Sequence, residues 1–414
     1  MSKRIAIITW SRRKVGGAEQ YVESVVRELR RRQHQVGMWY EVDFPSDREP
    51  MNIAAIEPSY CVKAVGVSEA ILGLREWQPD IIYSHGRLEP SFERQALTVA
   101  PGVFFAHNYD GLCVSGLRTN TFPIARPCER SFGPSCLLQY FPRRCGGLNP
   151  FTMFELFRRE SVRRETLHGY HAIVTHSAHM VSEFVRSGFS ADRLFRLPFG
   201  MFEDNALLAQ DCGGKVREGE RIDSEGSIQL LYVGRMEPLK GGALFLDALP
   251  VIHYRTRKRL NVVFAGDGSH RKEWEQKARR VSALCPAITV QFLGWIRQPN
   301  DLMKHSHVLV VPSIWPEPFG MVGPEAGIYG TPAVAFNVGG ISDWLQPGIN
   351  GHLAPGDPPT AEGLAEAICR CVSDPRAYSQ LRHGATELAR RYQMTAHVDS
   401  LVEVFSKIVG GSRN

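Results

Sequence analysis

Short apolar runs alternate with amphipathic helical stretches in two successive series, and this alternation constrains the fold more than any other feature. The first series of apolar runs comprises residues 5–9, 80–83, 102–106 and 172–175. The second series comprises residues 228–233, 260–265, 288–292, 308–311 and 333–335. Apolar runs of this length, separated by helices, are typical of buried parallel strands. The sequence therefore predicts an α/β protein with two Rossmann-like, doubly wound parallel-sheet domains that face a central cleft.

The stretch between the two series, residues 203–227, is rich in Gly, Asp, Glu and Lys and lacks a periodic apolar face. Such a composition is typical of a linker or a long loop. We therefore predict a first domain over residues 1–202, a linker over residues 203–227 and a second domain over residues 228–414. A length of 414 residues also favours two domains.

The start of the chain predicts a first strand rather than a signal peptide. Its apolar run at residues 5–8 is short and is soon followed by Arg12, Arg13 and Lys14. No apolar run approaches the ~18 residues that a membrane-spanning helix needs. We therefore expect a cytoplasmic location, where most of the nine cysteines would be reduced.

The net charge of +6 arises in the first half of the chain. Residues 1–200 hold 26 Lys and Arg against 20 Asp and Glu, and the remainder holds 23 of each. The clustered basic residues are Arg27, Arg30, Arg31 and Arg32, and then Arg158, Arg159, Arg163 and Arg164 beside Phe151, Phe154 and Phe157. A basic surface with interleaved aromatics can bind anionic lipid, here on the inner face of the cytoplasmic membrane. An ordinary solvated helix face is the alternative, and no nucleic-acid motif accompanies the charge.

Two carboxylates flank a strand-to-helix turn within residues 313–326. Glu317 precedes a Pro-Phe-Gly turn, and Glu325 follows Pro324, a residue favoured in the first turn of a helix. The N–H groups of such a turn can bind phosphate, and carboxylates can accept hydrogen bonds from hydroxyls. A nucleotide sugar carries both groups. The alternative is a capped helix with two solvated glutamates.

Two cations, Arg235 and Lys240, follow the strand at residues 228–233 in a glycine-containing turn. Arginine presents a fork that matches phosphate oxygens, and lysine presents a point charge. Fixed cations and amides can stabilise a departing diphosphate in place of a divalent metal. The sequence contains no Asp-x-Asp motif, so we expect catalysis without a metal or another cofactor. A surface ion pair is the alternative for these two residues.

Two further candidates follow strands in the first domain. Gly16 and Gly17 separate the first strand from a helix, where glycine allows close approach of a ligand; a simple tight turn is the alternative. His107 ends the strand at residues 102–106, where an imidazole can position a hydroxyl or shuttle a proton. A hydrogen-bonded structural histidine is the alternative there.

The order of these motifs resembles that of the retaining glycosyltransferases of the two-Rossmann-domain (GT-B) type, family 4. The spacing of Glu317 and Glu325 resembles the Glu-x7-Glu motif of the family. Residues 16–19 resemble its Gly-Gly-x-Glu loop, and residues 234–241 resemble its Gly-Arg-x4-Lys-Gly segment. The resemblance is strong over residues 230–355 and weaker before them.

The resemblance implies roles for the candidate residues. Arg235 and Lys240 would bind the donor diphosphate, Glu325 the ribose hydroxyls, and Glu317 would face the transferred sugar. The backbone amides that would complete this cradle belong to Phe319, Gly320, Met321 and Val322. Gly16 and Gly17 would lie near the diphosphate or the acceptor, and His107 would act in catalysis, although Asn108 stands where the family often has Asp.

The resemblance also implies retention of anomeric configuration and a last helix that crosses back onto the first domain through Val402, Val404, Phe405 and Ile408. The resulting hypothesis is a retaining, metal-independent hexosyltransferase of cell-surface polysaccharide or lipopolysaccharide biosynthesis. It would transfer a sugar from a UDP- or GDP-sugar to a glycan or lipid-linked acceptor. A nucleotide-sugar epimerase on the same fold and a catalytically silent nucleotide-sugar-binding scaffold are the alternatives.

A cysteine-rich insert follows His107 at about residues 108–148. Its four cysteines are Cys113, Cys128, Cys136 and Cys145. Four thiolates can hold a structural zinc ion or an iron–sulfur cluster, which would order a long irregular segment. The spacings are irregular and include no Cys-x2-Cys, so unrelated buried thiols are the alternative.

Overall fold

The computed structural model describes residues 2–14, 16–43, 49–53, 56–86, 88–197, 199–201 and 226–411. These residues form two compact units. Unit 1 comprises residues 2–118, 129–201 and 392–411, and unit 2 comprises residues 119–128 and 226–391. The predicted linker lies almost entirely outside the described residues.

The strands of the first half are β1 (Arg4–Ser11), β2 (Gln35–Val42), β3 (Ser59–Cys61), β4 (Ile81–His85), β5 (Gly102–Phe105), β6 (Thr119–Asn120), β7 (Arg126–Pro127), β8 (Ala172–Thr175) and β9 (Leu194–Arg196). Those of the second half are β10 (Ser227–Val233), β11 (Arg259–Ala265), β12 (Ile288–Gly294), β13 (Val308–Val311), β14 (Ala333–Phe336) and β15 (Gly351–Ala354).

The helices of the first half are α1 (Gly17–Arg31), α2 (Val62–Val65), α3 (Val67–Trp77), α4 (Pro90–Ala96), α5 (Ser135–Tyr140), α6 (Pro150–His168) and α7 (Ala178–Arg186). Those of the second half are α8 (Gly242–Thr256), α9 (Arg271–Leu284), α10 (Asn300–Lys304), α11 (Val322–Gly327), α12 (Ala361–Val372), α13 (Pro375–Ala389) and α14 (Met394–Gly411). Among these residues, no helix is both long and apolar enough to cross a bilayer.

Unit 1 is built on a seven-stranded sheet in the order β3-β2-β1-β4-β5-β8-β9, and every pairing is parallel. The interior strand β1 carries a continuous apolar run at residues 5–8 because both faces of a parallel sheet are covered. Residues Ile5, Ala6 and Ile7 are fully buried. All four strands predicted in this half are confirmed, whereas β2, β3 and β9 were not predicted.

Unit 2 contains a six-stranded parallel sheet in the order β12-β11-β10-β13-β14-β15. The strand order reverses between β10 and β13, and ligands of such sheets bind outside the carboxyl ends of the strands at this point. The segments that follow β10 and β13 carry Arg235 and Lys240, and Glu317 and Glu325, respectively, with Glu325 in the first turn of α11. The sheet therefore gathers the predicted donor-binding residues at one edge, and the predicted doubly wound architecture is confirmed for both units.

The last helix, α14, belongs to unit 1 although its sequence follows unit 2. Val404 and Phe405 are buried there, and the Phe405 ring lies 5.2 Å from that of Tyr83 on β4. Val402 and Ile408, which were predicted to share this contact, are only partly buried.

The cysteine-rich insert is divided between the units rather than contained in the first domain. Residues 119–128 group with unit 2, where β6 and β7 form an antiparallel hairpin. Arg126 of this hairpin pairs with Asp357, with Nε 3.2 Å from Oδ1. The rest of the insert belongs to unit 1 and includes α5.

Candidate functional site

The loop after β10 and the loop after β13 are joined by backbone hydrogen bonds. The amides of Ile314 and Trp315 both donate to the carbonyl oxygen of Leu239, at 2.9 and 3.1 Å. Leu239 lies in a 3-10 turn, Pro238–Lys240, that ends at the predicted diphosphate-binding lysine. These bonds fix the base of Lys240 against the segment that carries Glu317.

Lys240 and Glu317 form an ion pair in which Nζ lies 2.6 Å from Oε1. Glu317 is 7% exposed, and the lysine ammonium also lies 4.8 Å from the centre of the Trp315 ring. A carboxylate and an aromatic face both stabilise a cation at a partly buried position. The structure therefore holds the Lys240 and Glu317 side chains in place against each other.

The backbone of Glu317 is held by the glycine pair that follows β14. The amide of Gly340 donates to the Glu317 carbonyl oxygen at 2.6 Å. Gly339 has φ +57°, and a Cβ atom there would lie 2.4 Å from the same oxygen. Only glycine fits this close approach, so the Gly-Gly pair supports the carboxylate.

The turn after Glu317 presents backbone donors. The Phe319 carbonyl accepts a 2.7 Å hydrogen bond from Nε1 of the buried Trp344, which anchors the turn. Within the described residues, the amides of Gly320, Met321 and Val322 have no hydrogen-bond acceptor. Three such donors next to a lysine ammonium form an environment suited to an anion.

Glu325 lies in the first turn of the short helix α11. The side chain is partly exposed, and burial by the surrounding protein raises its pKa to about 7. The carboxyl group is therefore poised between its neutral and ionised forms near neutral pH. The ionised form is the stronger hydrogen-bond acceptor, because it carries no proton and its bonds are charge-assisted.

Arg235 is exposed. Its carbonyl oxygen accepts a 2.6 Å hydrogen bond from the Tyr232 hydroxyl, which fixes the backbone of the loop after β10. The structure thus brings Lys240, Glu317 and the 320–322 amides together and leaves the Arg235 guanidinium on the surface.

Gly16 and Gly17 occupy the start of α1 in unit 1. The Gly16 amide donates to Oε2 of Glu19 at 2.8 Å, so the glutamate of the Gly-Gly-x-Glu loop caps the helix. The predicted role of the two glycines near a ligand stays a prediction.

His107 follows β5 in unit 1 and is partly buried. Its Nε2 lies 3.2 Å from Nδ1 of His85, and burial lowers its pKa to about 3. The Asn108 side chain instead accepts a hydrogen bond from the amide of Asp110. His85 therefore orients His107, and because the lowered pKa makes this imidazole a weak base, the ring is better suited to hydrogen bonding than to proton abstraction near neutral pH.

A buried cluster surrounds this histidine pair, and the sequence did not reveal it. The Tyr21 hydroxyl lies 2.7 Å from that of Tyr83 and 2.6 Å from Nε2 of His397 on α14. The Tyr21 ring also contacts the rings of His85, His107, His176, His397, Phe105 and Phe199. Histidines at three successive strand ends, β4, β5 and β8, were a usable signal, because parallel strands end at one edge.

Three of the four cysteines of the insert make separate local contacts. Cys113 accepts a hydrogen bond from the Arg118 amide, and the thiols of Cys136 and Cys145 contact the carbonyls of Ser131 and Gln139. Among the described residues, no three His, Cys, Asp or Glu side chains are grouped as metal ligands. The predicted metal site, including Cys128, is therefore not formed in this structure.

Buried ion pairing orders the insert instead. Arg118 is 2% exposed, pairs with Glu183 of α7 and donates to the Arg130 carbonyl across the insert. Arg164 of α6 donates to the Phe132 and Ser187 carbonyls at 2.8 and 2.6 Å. These bonds connect the irregular segment to regular helices of unit 1.

The predicted basic helix face is also partly internal. Arg163 is buried and pairs with Glu93, so it contributes no surface charge. Arg31 and Arg32 of α1 pair with Glu28. Of the four arginines in the second cluster, only Arg158 and Arg159 are exposed.

Two family models match the chain. The model of glycosyl transferases group 1 matches residues 217–391, and that of glycosyltransferase family 4 matches residues 15–201. The matches follow one another and together cover most of the chain. The chain therefore belongs to the group 1, family 4 glycosyltransferases.

Known proteins agree with this assignment. The chain is 34% identical over 188 residues to a D-inositol 3-phosphate glycosyltransferase of Thermomonospora curvata, covering 43% of this chain and 42% of that protein. It is 28% identical over 220 residues to a phosphatidyl-myo-inositol mannosyltransferase of Mycobacterium tuberculosis, covering 52% and 54%. The matched region thus spans about half of these relatives or less.

Solved structures show the same fold. The structure of Anabaena HepE in complex with UDP and glucose superposes with a TM-score of 0.63 at 18% identity. The match covers 98% of this chain and 100% of that chain. The two parallel-sheet units are those of the GT-B fold.

Proposed function

We propose that this protein is a retaining glycosyltransferase that transfers a sugar from a UDP- or GDP-sugar to a glycan or lipid-linked acceptor. The observation that carries the proposal is the Lys240–Glu317 pair beside the unused amides of residues 320–322. This arrangement offers positive charge and N–H donors to a diphosphate, and a carboxylate to a sugar. Both groups occur together in a nucleotide sugar.

The leaving group determines what unit 2 must do. Cleavage of the bond between sugar and diphosphate develops negative charge on the diphosphate and positive charge on the sugar. The Lys240 ammonium has three donors, so it can keep its bond to Glu317 and still donate to a phosphate oxygen. Arg235, exposed after β10, is free to reach phosphate oxygens from the surface of the loop. Glu317 would face the positive charge on the sugar.

The nucleotide would be held further along the same segment. Glu325 in its ionised form would accept hydrogen bonds from the ribose hydroxyls. A nucleotide-sugar donor is supported by the solved complex of HepE with UDP-glucose, a protein of the same fold. Cations and amides in these positions support catalysis without a metal, and family membership supports retention.

The acceptor would be bound by unit 1. The names of relatives include a phosphatidyl-myo-inositol mannosyltransferase, which supports a lipid-linked acceptor and a place in surface glycan synthesis. His107 and the start of α1 at Gly16 and Gly17 are the proposed contacts there. A cytoplasmic enzyme that works at the membrane periphery is consistent with such an acceptor.

A donor panel tests the proposal. The purified protein is incubated with UDP- and GDP-sugars and candidate acceptors in EDTA, and NMR determines the anomeric configuration of the product. We expect one donor to yield a product that retains the donor configuration. Inversion would refute retention, conversion of the donor into its epimer would favour an epimerase, and donor binding without any product would favour a silent scaffold.

A further inference from the structure

One surface of unit 1 exposes an unusual set of large apolar side chains. They lie on α5, at the start of α6 and in the loop between these helices. Their exposed fractions are 76% for Leu138, 36% for Phe141, 72% for Leu148, 83% for Phe151 and 58% for Phe154. We call these five residues the apolar tip. Scattered single apolar residues are normal on a surface, but five within 17 residues of sequence are not.

The apolar tip is not exposed through poor packing. The opposite side of the same segment forms its own buried cluster, in which Tyr140, Cys145 and Met153 pack with Phe132 and Val114. The loop is also fixed by hydrogen bonds, since the Cys145 amide donates to the Tyr140 carbonyl at 3.0 Å.

The start of α6 is equally well formed. The Asn149 side chain accepts a 2.9 Å hydrogen bond from the Phe151 amide, which caps the helix, and Pro150 follows at its first position. A rigid scaffold therefore holds the apolar side chains outward.

Cations surround the apolar tip. Residues 130–159 contain five arginines and only one carboxylate at an exposed position, Glu155. Arg143 and Arg144 are exposed in the loop, and Arg158 and Arg159 are exposed two turns along α6. A protein partner would meet these groups with carboxylates, whereas a bilayer offers phosphates beside hydrocarbon at every point.

We propose that the apolar tip inserts into the surface of an anionic phospholipid bilayer, with Arg143, Arg144, Arg158 and Arg159 bound to lipid phosphates. Single projecting Leu and Phe side chains can enter between acyl chains, while long arginine side chains reach the headgroups. The interaction places unit 1 on the membrane that would hold a lipid-linked acceptor. The inference deepens the proposed acceptor class.

Vesicle binding tests the inference without donor or acceptor. Full-length protein is sedimented with vesicles of phosphatidylcholine alone or with 30% phosphatidylglycerol added, a composition of about one anionic lipid in three. We expect binding to the anionic vesicles that weakens in 0.5 M salt, because the Debye length falls to about 4 Å there and screens the attraction between arginines and lipid phosphates. The absence of binding to anionic vesicles would refute the membrane-docking surface. The absence of product in the donor panel would refute the transferase activity. The two outcomes are therefore distinguishable.

Two variants separate the apolar and the basic contributions. The double variant Leu148→Ser/Phe151→Ser should weaken binding at least about tenfold, because it removes two insertable side chains. The variant Arg143→Gln/Arg144→Gln should weaken it about thirtyfold, at roughly 1 kcal/mol for each cation near the surface. All four positions are exposed, so the unfolding temperature should not change.

Matched controls lie in unit 2. Leu284→Ser changes a leucine that is 89% exposed, and Arg279→Gln/Arg280→Gln removes an adjacent exposed pair of arginines on the same helix, α9. Neither control should alter vesicle binding. If the control variants lost as much vesicle binding as the tip variants, a specific membrane-binding surface would be refuted. Self-association that is abolished by Leu148→Ser/Phe151→Ser, without vesicle binding, would instead assign the surface to a second copy of the chain.

Discussion

Lys240 and Glu317 lie 77 positions apart in sequence, yet their side chains form a 2.6 Å ion pair at one edge of the unit 2 sheet. The pair joins the two predicted donor-binding loops through a side chain from each loop. Substitution of Lys240 should weaken nucleotide binding, whereas substitution of Glu317 should lower turnover.

Lys240→Met should weaken nucleotide diphosphate binding by about tenfold to a hundredfold, because one hydrogen bond to a charged group contributes about 1.5–3 kcal/mol. Calorimetric titration with UDP and GDP measures the change. Lys277→Met is the matched control, since Lys277 also forms a 2.6 Å pair, with Asp247, elsewhere on unit 2. Equal affinities for the wild type and Lys240→Met would argue against the lysine as a diphosphate ligand.

Glu317→Gln should lower turnover by roughly a hundredfold or more, as expected when a charge that stabilises the transition state is removed. Nucleotide affinity should change little, because Lys240 and the 320–322 amides remain. Steady-state kinetics and titration on the same preparation separate the two effects. A variant that loses affinity but keeps its turnover would reverse the assigned role.

Nucleoside diphosphate binding should depend on pH through Glu325. Its pKa of about 7 means that the fraction of ionised carboxylate rises as the pH rises through 7. Since the ionised form accepts the ribose hydroxyls, affinity should fall about tenfold for each pH unit below 7. Titrations from pH 5.5 to 8 should show this slope in the wild type, and Glu325→Gln should flatten it. Glu273→Gln, an exposed control on unit 2, should keep it.

Unit 1 should lose stability in mild acid. Burial lowers the pKa values of His85, His107 and His176 below that of a free imidazole. Below pH 6.5 the unfolded chain therefore takes up protons that the folded cluster does not, and the stabilising contribution is fully present only above that pH. Each of these histidines therefore lowers the free energy of unfolding by up to about 1.4 kcal/mol for each pH unit below 6.5.

Urea unfolding at pH 7.5, 6.5 and 5.5 measures this loss. His85→Phe should reduce the pH dependence, because the His85 ring already packs against Tyr83 and Phe105. His383→Gln alters an exposed histidine of unit 2 and should leave the dependence unchanged. A denaturation midpoint that stays constant across this range would contradict the buried, neutral cluster.

Arg118→Met should destabilise unit 1 by about 3–5 kcal/mol, the usual cost of leaving one member of a buried ion pair uncompensated. Limited proteolysis should then cut the insert. Arg370→Met, which breaks an exposed pair with Glu366, should cost no more than about 1 kcal/mol. EDTA should not alter the stability of unit 1, since side chains of unit 1 order the insert. Unfolding by EDTA would instead indicate that a metal ion orders the insert.

Long apolar runs made the sheets predictable. Both faces of β1, β10 and β13 are covered, so these strands carry continuous apolar sequence. The strands that were not predicted include β3 and β9, which are three residues long and lack fully buried positions. Short, half-exposed edge strands leave little hydrophobic signal.

The candidate site was predictable only as separate motifs. The sequence placed Lys240 and Glu317 on loops after parallel strands and Glu325 in the first turn of the next helix, and the sheet topology then brought these segments together. The sequence could not reveal that Lys240 pairs with Glu317, nor that His397 of the last helix bonds to Tyr21. Such long-range contacts depend on packing rather than on local pattern. The buried ion pair of the insert was hidden for the same reason, because Arg118 pairs with a residue 65 positions away in the sequence.

Calorimetric titration of UDP and GDP in the presence of EDTA is the direct test of a donor site built on Lys240 and Glu317. We predict that the wild type binds at least one of the two nucleotides without metal. We also predict that Lys240→Met weakens this binding by at least about tenfold while Lys277→Met does not. The absence of binding to either nucleotide, or equal binding by Lys240→Met and the wild type, would contradict a donor site built on Lys240 and Glu317.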